Sequence, residues 1–263
     1  MSPADEETAL LGLAPVAPDR TVAYGPHPDQ VVDLYVPRAA GTGTAAAGPL
    51  VVLLHGGFWR AAYDRGHLSP LAAHLAGLGL PVALAEYRRV GAGGGVPETF
   101  EDVAAAIGAA VRAVPDAGGP VVVGHSAGGH LALLAAARPG TPVTRVIAVS
   151  PVADLARAHE LGLSNGAVAE LLGDGPGLPE RLAAADPARR PPAGIPVTIL
   201  HGTDDPDVPL DISRRYAAVC PAATELRELP GVGHYAPVTP GTPGCAALVA
   251  LLCPPGVDTA VTP

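Results

Sequence analysis

A serine set between two glycines, in Gly124-His-Ser-Ala-Gly128, is the residue of this chain best placed to act as a nucleophile. An apolar strand candidate, 120–125, leads into it and an Ala/Leu-rich helix candidate, 127–138, follows at once. The pattern G-x-S-x-G between strand and helix describes a nucleophile elbow, a strained turn that lifts the serine hydroxyl above a sheet. Side chains at Gly124 or Gly128 would collide with neighbouring backbone in such a turn. A hydroxyl is a poor nucleophile at neutral pH, so it needs a base, and the base needs an orienting acid. Both residue types follow in chain order. His201-Gly-Thr-Asp-Asp-Pro-Asp-Val-Pro209 brings three aspartates after the strand candidate 195–201, and Gly231-Val-Gly-His-Tyr235 brings a histidine after the strand candidate 224–230.

The chain has nine histidines, and position sorts them. His55, His125 and His201 end strand candidates beside glycines, where an imidazole is expected to hold a loop by hydrogen bonding. His67 and His74 lie seven residues apart on a helix candidate and are expected to face solvent. His27 precedes the first strand candidate, and His130 and His159 fall on helical segments. His234 alone sits in a loop after the last strand candidate, which makes it the candidate base.

Acyl chemistry also needs N–H donors for the oxyanion of a tetrahedral intermediate, preferably backbone groups already in place. His55-Gly-Gly-Phe-Trp59 follows the strand candidate 49–55, and its glycines let backbone approach a bound carbonyl. The N–H groups of Gly57, Phe58 and Ala127 are the candidate donors. Trp59 and Tyr235, with Phe58, are the candidate pocket-lining aromatics.

The elements that must carry these residues alternate as βαβ units do. Residues 31–37 alternate with period two as a half-buried strand would, a Gly/Ala linker follows at 39–48, and further strand candidates fall at 49–55, 81–87, 120–125, 145–150, 195–201 and 224–230. Helix candidates lie at 67–78, 97–114, 127–138, 210–219 and 243–252. The expectation is a single α/β domain over 1–263, with a mainly parallel central sheet flanked by helices. Between 151 and 196 the pattern breaks into short helical pieces, which read as a small cap-like insertion over one end of the sheet that is expected to shape the wall of the pocket.

Taken together, HGGFW, the segment Glu86-Tyr-Arg-Arg-Val90, GHSAGG, HGTDDPDVP and GVGHY resemble the α/β-hydrolase superfamily over essentially the whole chain from about Val31. The branch they resemble holds hormone-sensitive-lipase-like esterases and kynurenine formamidases. Phe58 stands where the first group usually has a third glycine, and HGGFW fits the HGG-aromatic-W of the second. Glu86 departs from the asparagine usual there. The resemblance implies a Ser126, Asp205 and His234 triad, with Asp207 the fallback acid, and hydrolysis of carboxylic esters of small or medium acyl groups through an acyl-enzyme. Arylformamides are the alternative substrates, and a non-catalytic small-molecule-binding protein on the same fold is the alternative of another class.

Composition narrows the partners. The formal net charge is −9 and all 16 basic residues are arginine, so the chain lacks the basic surface that nucleic acid or anionic membrane requires. Its apolar runs fall short of the roughly 18 residues of a membrane span. The opening segment 1–20 has acids where a signal peptide needs basic residues, and reads as a tail of a cytoplasmic protein. Three cysteines without CxxC spacing read as reduced thiols. Gly91-Ala-Gly-Gly-Gly95 fails the dinucleotide fingerprint at Val96 and reads as a connector, so no cofactor is expected. Two prolines stiffen the 201–209 loop and no further acids stand at metal-loop spacing, so no metal is expected either. A small-molecule ester or amide is the expected partner.

Overall fold

In β3 (Pro49–Leu54) Leu50, Val52 and Leu54 belong to one buried cluster while Val51 and Leu53 belong to another. Successive side chains of a strand point to opposite faces, so a strand apolar at every position must be covered on both sides. The computed structural model, which describes residues 3–37 and 48–253, builds this out to an eight-stranded sheet in the order β1-β2-β4-β3-β5-β6-β7-β8. The other strands are β1 (Arg20–Ala23), β2 (Val31–Tyr35), β4 (Val82–Ala85), β5 (Gly118–His125), β6 (Arg145–Val149), β7 (Val197–Gly202) and β8 (Thr224–Leu229). β1 pairs antiparallel with β2 and β2 with β4; every other pairing is parallel.

Parallel neighbours need long crossovers, and helices supply them. On one face lie α3 (Glu98–Ala113), α4 (Ala127–Ala137) and α8 (Leu210–Val219), burying Ile107, Leu131 and Ile212 against the sheet. On the other lie α2 (Ser69–Gly77) and α9 (Pro243–Leu252), burying Leu71, Leu75 and Leu248. The start of α9 is dictated locally, since the Thr242 side chain accepts from the Cys245 N–H and Pro243 takes the first turn, where its missing donor costs nothing. After β3 the chain passes to β4 on one side, and after β4 it crosses back to β5 on the other. The crevice outside the carboxyl ends of β3 and β5 is therefore the topological switch point, where open α/β sheets bind ligands.

Every strand expected from the apolar runs is present, and the five helix candidates appear with ends moved by a few residues at most. The 67–78 candidate divides into a 3₁₀ turn at Arg65–Leu68 and α2. Of the expected linker at 39–48, all but Gly48 lies outside the described residues. Residues 151–196 run between β6 and β7 as α5 (Leu155–Glu160), α6 (Leu163–Leu172), α7 (Leu178–Ala185) and a short 3₁₀ turn. The GAGGG connector turns between β4 and α3, and a Cβ at Gly94 would fall 2.3 Å from the Arg88 carbonyl, so a packing contact accounts for that glycine.

Two elements were not foreseen. The expected N-terminal tail contains α1 (Pro3–Leu11), with Leu10 buried in the α2/α9 core, and β1 adds an edge strand whose exposed residues show no apolar alternation. Among the described residues, no helix is long and apolar enough to cross a membrane.

Candidate active site

Ser126 stands between the end of β5 and the first turn of α4 with φ 55° and ψ −118°, a region that non-glycine residues rarely occupy. The surrounding backbone holds it there. Its N–H donates to the Val149 carbonyl at 2.9 Å, and its own carbonyl accepts from Gly129 at 2.9 Å and His130 at 3.2 Å. The flanking glycines have a steric reason: a Cβ on Gly124 would sit 2.1 Å from the Gly128 carbonyl oxygen, and one on Gly128 would sit 2.2 Å from that of Leu54. Both obstacles are backbone, which cannot rotate away. Gly128→Ala is expected to destabilise the fold by about 3 kcal/mol, measured by urea unfolding, because the methyl forces α4 away from β3.

The loops after β7 and β8 meet edge to edge beside the elbow. Gly202 permits it, since a Cβ there would lie 2.1 Å from the Val232 carbonyl oxygen. His234 Nδ1 and Asp205 Oδ2 are 2.7 Å apart, and both side chains are almost wholly shielded from solvent. Asp205 Oδ1 accepts from the backbone N–H groups of Asp207 and Val208, each at 2.9 Å. Burial alone would raise the Asp205 carboxyl pKa, but hydrogen bonds and positive charge from His201 and His234 outweigh it and hold the group well below the usual carboxylate range. With an ionised acceptor at Nδ1, the imidazole carries its proton on that nitrogen and leaves the Nε2 lone pair free to accept.

Of the other aspartates in that loop, Asp204 is exposed and takes the Thr203 hydroxyl at 2.9 Å. Asp207 gives its backbone N–H to Asp205. Asp205, Asp207 and His234 each bring one ligand atom within 4.8 Å of the others. Both Asp205 oxygens are already engaged by N–H groups, and three donors fall short of the six or more oxygens that calcium takes.

The strand-end histidines hold loops. His201 has Val208 O at 2.9 Å from Nε2 and Ser213 Oγ at 2.7 Å from Nδ1, clamping the two ends of the aspartate loop. His125 Nε2 donates to the carbonyl of His234 at 3.0 Å, with the two rings 4.6 Å apart. Burial pushes the His125 pKa well below its ordinary value, with the neighbouring His234 adding to the effect. His55 Nε2 donates to Glu86 Oε1 at 2.8 Å beneath the HGGFW turn.

That turn carries positive φ at Gly57 (106°), Phe58 (54°) and Trp59 (58°). Glycine takes a positive φ without cost, but Phe58 and Trp59 store strain that only surrounding structure can hold, and the EYRRV segment supplies the hold. Val90 N–H donates to the Trp59 carbonyl and Ala61 N–H to that of Val90, each at 2.9 Å. The Tyr87 hydroxyl donates to the His55 carbonyl at 2.8 Å while its ring stacks on the imidazole at 4.5 Å. Glu86, completely buried, accepts from His55, from the N–H groups of Arg65 and Tyr87, and lies 3.1 Å from Arg89. Burial opposes its ionisation, but His55 and Arg89 win and lower its pKa to about 2. The glutamate that departs from the formamidase pattern thus anchors the HGGFW loop.

Ser126, His234, Gly57, Phe58 and Tyr235 line one narrow cleft, together with His125, Tyr63, His67, Glu7 and Leu11. Trp59, expected in this wall, is not among them. It is 2% exposed, with its indole packed edge-on against His130 at 5.2 Å in the α3/α4 core, because its positive φ turns the chain back over the sheet. His67, expected to face solvent, instead faces the cleft, and burial lowers its pKa to about 4. No lining residue comes from 151–196; that segment docks on the turn from outside, where Arg60 pairs with Glu170 at 2.7 Å and donates to the Ser164 carbonyl at 2.8 Å. The wall the insertion was expected to form is supplied in part by α1. Nothing in the residue pattern of 1–20 pointed to this, because α1 has little amphipathic signal and its contacts are made with the other end of the chain.

Strand order, the elbow at the end of β5 and the loops gathered above the sheet define a protein of the α/β-hydrolase fold. A family model described as BD-FAE matches residues 32–219, and the chain belongs to that family. Among solved structures, esterase B of Lactobacillus rhamnosis with a tributyrin phosphonate superposes with a TM-score of 0.75 at 21% identity, covering 95% of this chain and 89% of that one. A carbohydrate esterase from gut microbiota gives 0.70 at 22% identity, over 89% and 93% of the two chains. A thermophilic esterase of the Planctomycetes species Thermogutta terrifontis, with propionate bound, gives 0.65 at 25% identity, over 88% and 90%. No curated protein sequence matches the chain.

Proposed function

We propose that this protein is a cofactor-independent serine hydrolase that cleaves carboxylic esters of small or medium acyl groups. The observation that carries the reading is the 2.7 Å contact of His234 Nδ1 with Asp205, beside a cleft that Ser126 and His234 share. In this mechanism His234 Nε2 accepts the proton of Ser126 as its Oγ attacks the ester carbonyl. Asp205 keeps the imidazole in the required tautomer and stabilises the imidazolium. The oxyanion is met by backbone N–H groups of Gly57, Phe58 and Ala127; the last opens α4, where N–H groups have no intrahelical acceptor. His234 then protonates the departing alcohol oxygen, and a water repeats the sequence on the acyl-enzyme.

The lining of the cleft supports the acyl preference. Phe58, Tyr63 and Tyr235 crowd it with aromatic rings, and the structural neighbours were solved with short acyl ligands, a tributyrin phosphonate and propionate.

The test is labelling with a fluorophosphonate, followed by turnover of p-nitrophenyl acetate, butyrate, octanoate and N-formylkynurenine. A single adduct on Ser126 is expected, with acetate or butyrate preferred over octanoate. Absence of an adduct in folded protein would favour a non-catalytic binding role, and dominant formamide turnover would make the arylformamidase reading the correct one.

A further inference from the structure

The carboxylate of Glu6, in α1, accepts from three backbone N–H groups of the histidine loop: Gly233 at 2.9 Å, Tyr235 at 3.2 Å and Ala236 at 2.9 Å. Those donors bracket His234 on both sides. Glu6 is 3% exposed, although it stands on a nine-residue helix near the start of the chain. Gly233 is shaped for it, since a Cβ there would lie 2.7 Å from Glu6 Oε2. The second glycine of GVGHY is thereby accounted for: it admits a carboxylate from 227 residues away.

We infer that Glu6 is a positioning residue for His234. Four restraints converge on this histidine: Asp205 on the ring, His125 on its carbonyl, and the Glu6 carboxylate on the peptide units before and after it. Asp205 orients the ring but does not hold the backbone on which the ring hangs. A strand-end loop containing glycines at 231 and 233 has little stiffness of its own, so without an external acceptor the imidazole could still pair with Asp205 while drifting from Ser126. An ionised carboxylate suits the task because it accepts without competing as a donor, and hydrogen bonds to a charged acceptor are stronger than neutral ones. A displacement of about 1 Å in a catalytic group is enough to cost on the order of 100-fold in rate.

This inference rests on the serine-hydrolase reading, and the experiment separates the two. Wild-type full-length protein, Glu6→Gln and Gly233→Ala are titrated with a fluorophosphonate to count reactive serines, and kcat and KM for p-nitrophenyl butyrate are expressed per titrated site. Glu6→Gln retains one acceptor oxygen but sets an NH₂ group against the remaining donors. It is expected to lose kcat by roughly ten- to a hundredfold with KM changed less than about twofold. Gly233→Ala, which drives a methyl into the carboxylate, is expected to give the same split, and stands in if Glu6→Gln yields no folded protein. A purely structural contribution would lower the number of titratable sites and leave kcat per site unchanged; that result overturns the inference. If wild-type protein takes up no label, it is the hydrolase reading that fails.

Discussion

Ser126→Ala is expected to lower ester turnover by roughly 10⁵- to 10⁶-fold while leaving the protein folded. The magnitude follows from losing covalent catalysis altogether, because Ser126 is the one serine or threonine among the described residues lining the cleft. What remains should be the effect of the oxyanion donors and of binding, roughly 10³- to 10⁴-fold over water. The fold should persist because every bond holding the elbow is made by backbone: Ser126 N to Val149, and Gly129 and His130 to the Ser126 carbonyl. Relief of the positive φ gives a further check. Ser126→Gly should unfold at least as high in urea as the parent, since about 1 kcal/mol or more is stored in such a residue. Turnover surviving in Ser126→Ala within a factor of about ten would place the nucleophile elsewhere.

Asp205→Asn is expected to cost roughly 10⁴-fold in kcat, and Asp207→Asn far less. An asparagine at 205 can keep its carbonyl oxygen toward the Asp207 and Val208 N–H groups, so the loop should survive. Its NH₂ then faces His234 Nδ1, which must become an acceptor. The ring proton moves to Nε2, and the imidazole can no longer take the proton of Ser126. Asp207 contributes a backbone N–H to Asp205, and that group is untouched by a side-chain change. Steady-state kinetics on both variants decides between them. A larger loss in Asp207→Asn would move the orienting acid to that residue and change the reading of the whole loop.

Most of the scaffold was legible because the physics that sets it is local. Apolar runs covered on both faces announce strands whatever they later pair with, and the five amphipathic or Ala-rich segments announce helices. The motif glycines were legible for the same reason: Gly124 and Gly128 face backbone within one strand-turn-helix unit or its immediate neighbour. The roles of His55, His125 and His201 as loop holders were readable from their place at strand ends beside glycine. Trp59 and His67 were misread because the direction of a side chain leaving a turn depends on dihedral angles that residue type does not specify. A tryptophan after two glycines can lean into the cleft or fold back to the core, and here successive positive φ values send it back. The insertion at 151–196 was expected to shape the pocket, and its position rests on long-range contacts: Leu155, Val168 and Leu171 are buried in the main core, and Arg60 meets Glu170 across 110 residues.

The chain's own order of residues determined the fold class, the elbow and the candidate residues for an acid and a base in the sequence Ser, Asp, His. Each is a property of a short segment whose backbone has few options. Tertiary structure alone decided which of three neighbouring aspartates meets His234, which aromatic rings enclose the cleft, and that a glutamate near the start of the chain grips the loop carrying His234. Such contacts join segments with no common local geometry, and they exist only once the sheet has fixed the distance between them.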